Sequence, residues 1–322
     1  MTTHTILAFD LGGTKLAGAI FNHDGTILEK TVAPLEKRQG AAVGRLIQQQ
    51  TRALLQTARQ RKLVIDALGI CVPGIARQKT GTVWAPNIRG WEDYPLRAEL
   101  EAIRDVPKGR VRLDSDRACY ILGEAWQGVA RGCRHAIFLA VGTGIGAGIL
   151  VDGEVLRGTH DIAGAIGWLA LHRPFERKYI SCGCFEHHAS GGGIARMAKE
   201  FLTAHKKYSG KLRKAKRLTA HDVFAAYKTK DRIAVKTLQT AVEFWGMAVA
   251  NLVSLFNPEK IIFGGGVFGP AVCLLPDIYT EAKKWAQPIS IQQVTLEASA
   301  LGGEAGLFGA GYLALRSAAK NR

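Results

Sequence analysis

The chain has little of what marks exported or membrane proteins. None of its apolar runs approaches the roughly 18 residues that a membrane-spanning helix needs. The segment from Met1 to Ile6 is too short and uncharged to form a secretory signal. Cysteine is scarce, with six in 322 residues, and apart from one Cys-x-Cys pair the thiols are scattered in apolar surroundings, which favours reduced cysteines over a disulfide scaffold. These absences predict a soluble, cytoplasmic protein with no membrane partner.

Two common nucleotide-binding motifs are also missing. The chain contains no G-x-x-x-x-G-K-[ST] sequence, which argues against a P-loop nucleotide hydrolase. The glycine-rich run Gly142–Gly148 does not satisfy the G-x-G-x-x-G pattern of dinucleotide-binding domains. A dehydrogenase is therefore disfavoured.

Composition and charge indicate a globular protein with anionic partners. The chain is 47% hydrophobic and 22% charged, and its length favours two domains. Its formal net charge is +16, which raises the prospect of nucleotide, polyphosphate or nucleic-acid binding. Much of the excess lies between Lys206 and Arg217, where a solvated loop or helix face is favoured over a binding patch.

A strand–turn–strand unit occurs twice in the sequence. Thr5–Phe9 and Leu16–Phe21 read as apolar strands joined by a glycine-rich turn. Ala136–Val141 and Ala147–Val151 repeat this arrangement, and an Asp-Gly pair follows the second strand of each copy. The duplication predicts two similar α/β domains.

Helical patterns separate the predicted strands. Apolar residues recur at helical spacing over Ala41–Arg61 and from Leu238 to Phe256, and a further helix is predicted over Arg117–Val129. A short strand, Ile261–Phe263, runs directly into three glycines. Alternating strands and helices indicate the α/β class, in which ligands bind at the ends of strands.

Glycine-rich turns follow three of the predicted strands, at Asp10–Lys15, Gly142–Gly146 and Gly264–Gly266. Ordering glycine costs more conformational entropy than ordering any other residue, so three such turns need a physical reason. Close approach of backbone N–H groups to phosphate oxygens is one reason, and tight hairpins with positive φ are the alternative. Three turns, two of which carry a threonine hydroxyl, favour a nucleotide cradle.

These turns and the motifs between them resemble the ROK family of sugar kinases and repressors. Asp10-Leu11-Gly12-Gly13-Thr14-Lys15 is similar to the family's first phosphate motif, and Gly142-Thr143-Gly144 begins a segment similar to its second. Gly264-Gly265-Gly266 looks like the adenosine-side turn. Further matches follow in the family's order, namely Val72-Pro73-Gly74, Pro86-Asn87, Gly90-Trp91, Cys184-Phe185-Glu186 and Leu301-Gly302.

The resemblance implies an actin-like, ribonuclease H-like ATPase fold with two similar α/β lobes around a nucleotide and sugar cleft. A small N-terminal lobe is expected over residues 1–116 and a large C-terminal lobe over residues 117–300. Residues 301–322 are expected to form a closing helix that packs back on the N-terminal lobe. The implied activity is ATP-dependent phosphorylation of a sugar hydroxyl by a homodimer.

The resemblance also implies roles for individual residues. Asp10 would hold Mg²⁺, through water, since magnesium keeps much of its hydration shell. The residues implied to contact ATP are Gly12, Gly13, Thr14, Lys15, Gly142, Thr143 and Gly144 on its phosphates and Gly264, Gly265 and Gly266 on its adenosine side. The residues implied to line the sugar site are Asn87, Ser115, Asp116, Trp168 and Glu186.

Asp116 is the predicted catalytic base. A sugar kinase needs a carboxylate that accepts the proton of the attacking hydroxyl and orients it toward the γ-phosphorus. The family's Glu-Asn-Asp reads Asp114-Ser115-Asp116 here, and Gly123-Glu124, seven residues after Asp116, sets the register. An aspartate that only caps the following helix is the alternative. Ser115 is a shorter substitute for the family's asparagine.

Two family motifs are degenerate in this chain. The sugar-recognition motif Glu-x-Gly-His reads Ala165-Ile166-Gly167-Trp168, which removes a carboxylate and an imidazole. We therefore expect glucose to be a poor substrate and a modified or differently configured sugar to be accepted, with Trp168 either stacking on the sugar or filling the core.

The zinc pattern Cys-x-Cys-Gly-x-x-Gly-Cys is also broken. Upstream of Gly183-Cys184 only Cys182 remains, at the wrong spacing. Structural zinc needs four ligands, and His172, His187 and His188 would have to complete an unusual set with the two cysteines. Free thiols and surface histidines are favoured over a zinc site.

Two other functions are weighed against an ATP-dependent kinase. A sugar-sensing repressor would need a DNA-binding domain, and the first phosphate strand begins by Thr5, so no specific nucleic-acid partner is expected. A kinase that uses polyphosphate as donor would suit the basic charge, whereas the adenosine-side glycines favour ATP.

Overall fold

A computed structural model describes residues 3–319 of the chain. Its strands are β1 (Thr3–Leu11), β2 (Lys15–Asn22), β3 (Ile27–Pro34), β4 (Leu63–Val72), β5 (Ile75–Ala76), β6 (Val83–Trp84), β7 (Val111–Ser115), β8 (Ala136–Val141), β9 (Ile145–Val151), β10 (Glu154–Val155), β11 (Lys260–Gly264) and β12 (Thr295–Ala298). Its helices are α1 (Ala41–Gln60), α2 (Leu96–Glu101), α3 (Asp116–Gln127), α4 (Cys184–Ala189), α5 (Gly191–Ala204), α6 (Lys211–Lys214), α7 (Ala220–Tyr227), α8 (Arg232–Phe256), α9 (Leu275–Lys283), α10 (Ser290–Gln293) and α11 (Ala305–Ala319).

The chain divides into two compact units. Unit 1 combines the chain up to Gly132 with Val155–Ala163 and the segment from Ala300 onward, and unit 2 combines Cys133–Glu154 with Gly164–Ser299. Helix α3 therefore belongs to unit 1, whereas the predicted boundary after residue 116 assigned it to the second lobe. The reason lies in its packing, because α3 lies against the closing helix α11.

Unit 1 is built on a five-stranded sheet in the order β3-β2-β1-β4-β7. β1 pairs antiparallel with β2 and parallel with β4, and β7 forms the edge beyond β4. Alternate residues of β1 face opposite sides of the sheet: Leu7 and Phe9 lie in the core with α1, whereas Ile6 and Ala8 lie in the core with α11. Burial on both faces explains why β1 reads as a continuous apolar run.

Unit 2 repeats this arrangement with a sheet in the order β10-β9-β8-β11-β12. β8 pairs antiparallel with β9 and parallel with β11, as β1 pairs with β2 and β4 in unit 1. The duplication predicted from the strand–turn–strand units is confirmed. Asp152 and Gly153 both have positive φ in the turn after β9, which is the geometry that an Asp-Gly hairpin turn requires.

Close backbone packing holds α11 against α3 within unit 1. A Cβ atom at Gly309 would lie 1.8 Å from the carbonyl oxygen of Cys119 in α3, so only glycine permits this approach. The buried carboxylate of Glu124, the glutamate used to set the register of Asp116, accepts hydrogen bonds from the N–H groups of Val129 and Leu301. The end of α3 and the start of the closing segment are thereby joined. The last three residues of the predicted 301–322 helix lie outside the described residues.

The predicted helices correspond to α1, α3 and α8, although α8 begins at Arg232 rather than at Leu238. Asp231 caps the start of helix α8, because its carboxylate accepts from the N–H groups of Ile233 and Ala234. Asn257, in the left-handed conformation before Pro258, caps its end. Among residues 3–319, no helix combines the length and the apolar character required to cross a bilayer.

Candidate active site and nucleotide pocket

The predicted base lies where β7 passes into α3. The hydroxyl of Ser115 accepts a hydrogen bond from the N–H of Ala118 at 3.3 Å, so Ser115 is the N-cap of the helix and Asp116 is its first residue. One oxygen of Asp116 accepts from the N–H of Arg117 at 2.8 Å. Burial raises the pKa of Asp116, and Arg117 partly opposes that shift. Because Ser115 performs the capping, the alternative of a merely capping Asp116 loses its basis.

The first glycine turn follows β1 in unit 1. It is closed by a hydrogen bond from the N–H of Gly12 to the carbonyl of Lys15 at 3.0 Å, and Gly13, Thr14 and Lys15 are exposed. Asp10 precedes the turn, and burial is the main cause that raises the pKa of its carboxyl to about 6. A Cβ atom at Gly306 would lie 2.7 Å from this carboxylate, so the glycine leaves room for it.

The second glycine turn, after β8 in unit 2, is tied to Glu186. The N–H of Gly142 donates to the carbonyl of Gly144 at 2.9 Å, and the N–H of Ile145 donates to Oε2 of Glu186 at 2.7 Å. A Cβ atom at Gly144 would lie 2.7 Å from that same oxygen. Burial raises the pKa of Glu186, and the bond from Ile145 opposes the shift. Two predicted site residues, Gly144 and Glu186, are therefore neighbours.

A cavity of about 440 Å³ opens in unit 2 beside this turn. It brings together Gly142 and Thr143 of the second turn and Gly266 of the third. Gly264 and Gly265 do not line it: a Cβ at Gly264 would meet the Phe138 ring, and one at Gly265 would meet the backbone of β8. The other lining residues are Gly191, Gly192, Ala195, Arg217, Leu218, Thr219, Ala220, His221, Phe224, Val267 and Pro270.

Most of these lining residues were not anticipated from the sequence. Leu218, His221 and Phe224 come from α7 and the residues before it, and no motif marks them. Arg217 was noted only as the end of the basic segment, and the structure places it at the cavity. Arg213 of the same segment has a structural role instead, because its guanidinium donates to three backbone carbonyls, those of Leu202, His205 and Tyr208.

The remaining predicted sugar residues lie on the surface of their units. Asn87 is exposed in a turn of unit 1 that hydrogen bonds close between Ala85 and Trp91. Trp168 ends a short 3₁₀ turn in unit 2, Ile166–Trp168, and its side chain is 57% exposed. Of the two alternatives for Trp168, filling the core is wrong, because a core side chain would be almost fully covered.

In the region of the broken zinc motif, Tyr179 forms hydrogen bonds with its neighbours. Aligned on Gly183-Cys184, the family pattern places its first two cysteines at Arg177 and Tyr179. The hydroxyl of Tyr179 donates to Glu176 at 3.0 Å and lies 3.1 Å from Nε2 of His188. Within residues 3–319 no group of three or more His, Cys, Asp or Glu side chains has the geometry to hold a metal ion.

His187 and His188 are buried rather than on the surface as expected. The ring of His188 stacks on Phe244 with centroids 4.3 Å apart, which covers one of its faces. Burial is the main cause that lowers the pKa of His188 to about 4, and it also lowers the pKa of His187.

Comparisons with known proteins place this chain in one family. A glucokinase from Halalkalibacterium halodurans is 33% identical over 97% of this chain and 96% of its own length. A xylose repressor from Caldicellulosiruptor bescii is 29% identical over 81% of this chain and 65% of the repressor. A ROK family glucokinase from Streptomyces griseus, solved with glucose and AMPPNP, is 27% identical, with a TM-score of 0.74 over 97% of this chain and 99% of that one.

The Streptomyces griseus structure shares the fold described above. The matching family model extends over residues 6–317, which is nearly the whole chain. The chain therefore belongs to the ROK family.

Proposed function

We infer that this protein is a carbohydrate kinase that transfers a phosphoryl group from ATP to a sugar hydroxyl. This inference depends on the carboxylate of Asp116. Asp116 lies directly after the end of a strand and is partly buried, and Ser115 rather than Asp116 caps the following helix. The similarity to glucokinases over nearly the whole chain supports the same reaction class.

Asp116 acts as the general base. It accepts the proton of the attacking hydroxyl, which strengthens the oxygen as a nucleophile toward the γ-phosphorus. Burial raises the pKa of Asp116, which makes its carboxylate a stronger base toward the proton of the hydroxyl. Ser115 donates its hydroxyl hydrogen to the sugar, because its oxygen already accepts from Ala118.

ATP is the donor that the cavity of unit 2 favours. Leu218, Phe224 and Val267 give the cavity apolar walls that suit a nucleobase, whereas a polyphosphate chain would be poorly solvated there. Gly266 has no atom within 4 Å of the position that a Cβ would take, which leaves its backbone open to the nucleoside. Gly142 and Thr143 line the same cavity and receive the phosphates.

Mg²⁺ fits Asp10 as a hydrated ion. The buried carboxylate has a pKa raised to about 6, so a nearby cation would relieve the cost of its charge. In the described residues no cage of three or more protein ligands surrounds it, so the ion would also need water and the phosphates of ATP as ligands. When bound, Mg²⁺ neutralises charge that develops on the transferred phosphoryl group.

The sugar is a modified or differently configured hexose. Ala165 and Trp168 provide neither the carboxylate nor the imidazole of the family motif, whereas Glu186 keeps a carboxylate beside the Gly144 turn. The exposed Trp168 ring offers its face to an apolar sugar face or an N-acyl group.

We also expect the enzyme to be a homodimer, which light scattering of the purified protein would test.

The test compares wild type with Asp116→Asn on a panel of hexoses and N-acetylated hexoses, with ATP or polyphosphate at matched ionic strength. We expect transfer from ATP, and a loss of roughly a hundredfold to ten-thousandfold in kcat for the variant. Asp152→Asn is the control, because Asp152 is an exposed aspartate in a hairpin turn. Equal turnover by wild type and Asp116→Asn would refute the base, and transfer from polyphosphate alone would refute the donor.

A further inference from the structure

A buried ion pair involves Asp114, which lies just before the proposed base Asp116 in the sequence. Asp114 is 3% exposed, and its Oδ2 accepts hydrogen bonds from Nε and Nη2 of Arg157 at 3.0 and 2.5 Å. Its Oδ1 accepts from the N–H of Ser115 at 2.9 Å. Burial raises the pKa of Asp114, and Arg157 is the largest influence that lowers it. A carboxylate this buried stays charged only while it is paired, so Arg157 is required for this arrangement.

The loop that carries Arg157 is linked to the same strand a second time, through Gln78. This 157–163 loop is closed by a hydrogen bond from the N–H of Ala163 to the carbonyl of Arg157 at 3.0 Å. Asp161 in the loop has a φ of 59°, a conformation that non-glycine residues rarely adopt. Its carboxylate accepts from the N–H of Gln78 at 3.1 Å, and the side chain of Gln78 donates to the carbonyl of Leu113 at 2.8 Å.

Both contacts reach the last residues of β7 before Asp116. β7 is an edge strand, so β4 supports it through a ladder on one side, and no named strand extends that sheet beyond β7 in residues 3–319. Arg157 contacts residue 114, and Asp161 acts through Gln78 on residue 113. An edge strand has a neighbouring strand on one side only, so its end is less constrained than that of a central strand. The 157–163 loop restrains this end of β7.

We propose that Arg157, assisted by Asp161, is a positioning residue for catalysis, which rests on Asp116 being the general base. Within residues 3–319 Arg157 forms no hydrogen bond or ion pair with Asp116; it orients Asp114 and, through Asp114, the N–H of Ser115. A base that shifts by about 1 Å loses much of its effect on rate, because proton transfer needs short, aligned contacts. We expect ATP to bind nearly as well without Arg157, because the residues that line the proposed nucleotide cavity all belong to unit 2.

The kinetic test compares Arg157→Met, Arg157→Lys and the double variant Asp114→Asn/Arg157→Met. We expect Arg157→Met to lower kcat by about tenfold to a hundredfold while the KM for ATP stays within about twofold. Lysine keeps the charge without the two-pronged geometry, so Arg157→Lys should recover part of kcat. The double variant should have a higher kcat than Arg157→Met, because it no longer leaves the buried Asp114 carboxylate without a partner.

Hydrogen exchange tests positioning without a sugar. In Arg157→Met, peptides that cover residues 113–119 should exchange at least about tenfold faster, while peptides from β8 and β11 should be unchanged. Arg61→Met removes an exposed ion pair with Glu29 and is the matched control, for which neither readout should move.

Each outcome separates this role from that of Asp116. If Asp116→Asn is inactive and Arg157→Met matches wild type in kcat and in exchange of residues 113–119, the positioning role is wrong and the base stands. If Asp116→Asn retains full activity, the base is wrong. If Arg157→Met accelerates exchange throughout both units, Arg157 serves overall stability rather than positioning, which also overturns the proposal.

Discussion

The N–H of Ile145 donates a hydrogen bond to the Glu186 carboxylate at 2.7 Å, and this bond joins the first turn of α4 to the glycine turn after β8. A Cβ at Gly167 would lie 3.1 Å from the same carboxylate oxygen, so the backbone of the degenerate Ala165–Trp168 motif is also a neighbour. Among the described residues the second oxygen, Oε1, has no hydrogen-bond partner. Glu186 thus combines a structural contact through Oε2 with a second oxygen that no hydrogen bond within the described residues occupies.

Replacing Glu186 by glutamine should raise the KM for the sugar. Glutamine retains an oxygen that can accept from Ile145, so the turn is preserved, but the bond to a sugar hydroxyl is no longer charge-assisted. We expect an increase of about tenfold in the sugar KM, with the KM for ATP nearly unchanged. Steady-state kinetics with Glu200→Gln, an exposed site on α5, as control would check this. An equal rise in both KM values would contradict a role in sugar binding.

Restoring the family's sugar anchors should change substrate preference. Glucose should be a poor substrate for the wild type, because Ala165 and Trp168 offer no hydroxyl partner. The Ala165→Glu/Trp168→His double variant should gain glucose phosphorylation and lose preference for N-acetylated sugars. The measurement is kcat/KM on glucose, mannose and N-acetylated hexoses. Efficient use of glucose by wild type would show that these positions do not set specificity.

Buried His188 should make the protein sensitive to mild acid. Its pKa is near 4 in the folded protein and 6.5 in the ordinary state, so the unfolded chain binds the proton more readily. Its contribution to stability is therefore fully present above about pH 6.5 and is lost as the pH falls toward 4, by on the order of 2 kcal/mol between pH 7 and pH 5. Urea midpoints at pH 7 and pH 5 measure this loss. In His188→Gln, which cannot titrate, the difference between the two midpoints should shrink; an unchanged difference would exclude His188 as a source.

Removal of metal should leave the fold intact around the degenerate zinc motif. Tyr179, which the alignment places at a cysteine position, contacts Glu176 and His188 through its hydroxyl and is buried. A chelator should thus leave the melting temperature unchanged, whereas Tyr179→Phe should lower the free energy of unfolding by about 1 kcal/mol. Calorimetry with and without chelator checks both. A chelator-induced fall in the melting temperature would indicate a structural metal.

The close contact of α11 with α3 predicts the effect of a small substitution. Gly309→Ala would place a methyl group 1.8 Å from the Cys119 carbonyl, and a backbone oxygen cannot move aside without shifting the helix. We expect a destabilisation of about 3 kcal/mol, although alanine favours helices over glycine. Gly303→Ala, at an exposed site with no atom within 4 Å, is the control and should change stability little. Equal melting temperatures for the two variants would contradict this packing.

The strand–turn–strand duplication and the helices α1, α3 and α8 could be predicted from the sequence alone. Their signals are local, because apolar periodicity, a capping aspartate and an Asn-Pro stop all lie within one element. Asp116 was singled out by the resemblance to the ROK family, and Glu124, which sets its register, lies on the same helix.

Only the tertiary structure decided which distant side chains meet. Arg157 is 43 positions from Asp114 and carries no motif, and the cavity residues Leu218 and Phe224 look like ordinary core positions in the sequence. The burial of His188 was opposite to expectation, and the exposure of Trp168 decided between two alternatives that the sequence left open. Periodicity tells which face of an element is buried, but which segment covers that face depends on packing between elements remote in sequence, and that packing sets burial, pairing and pKa.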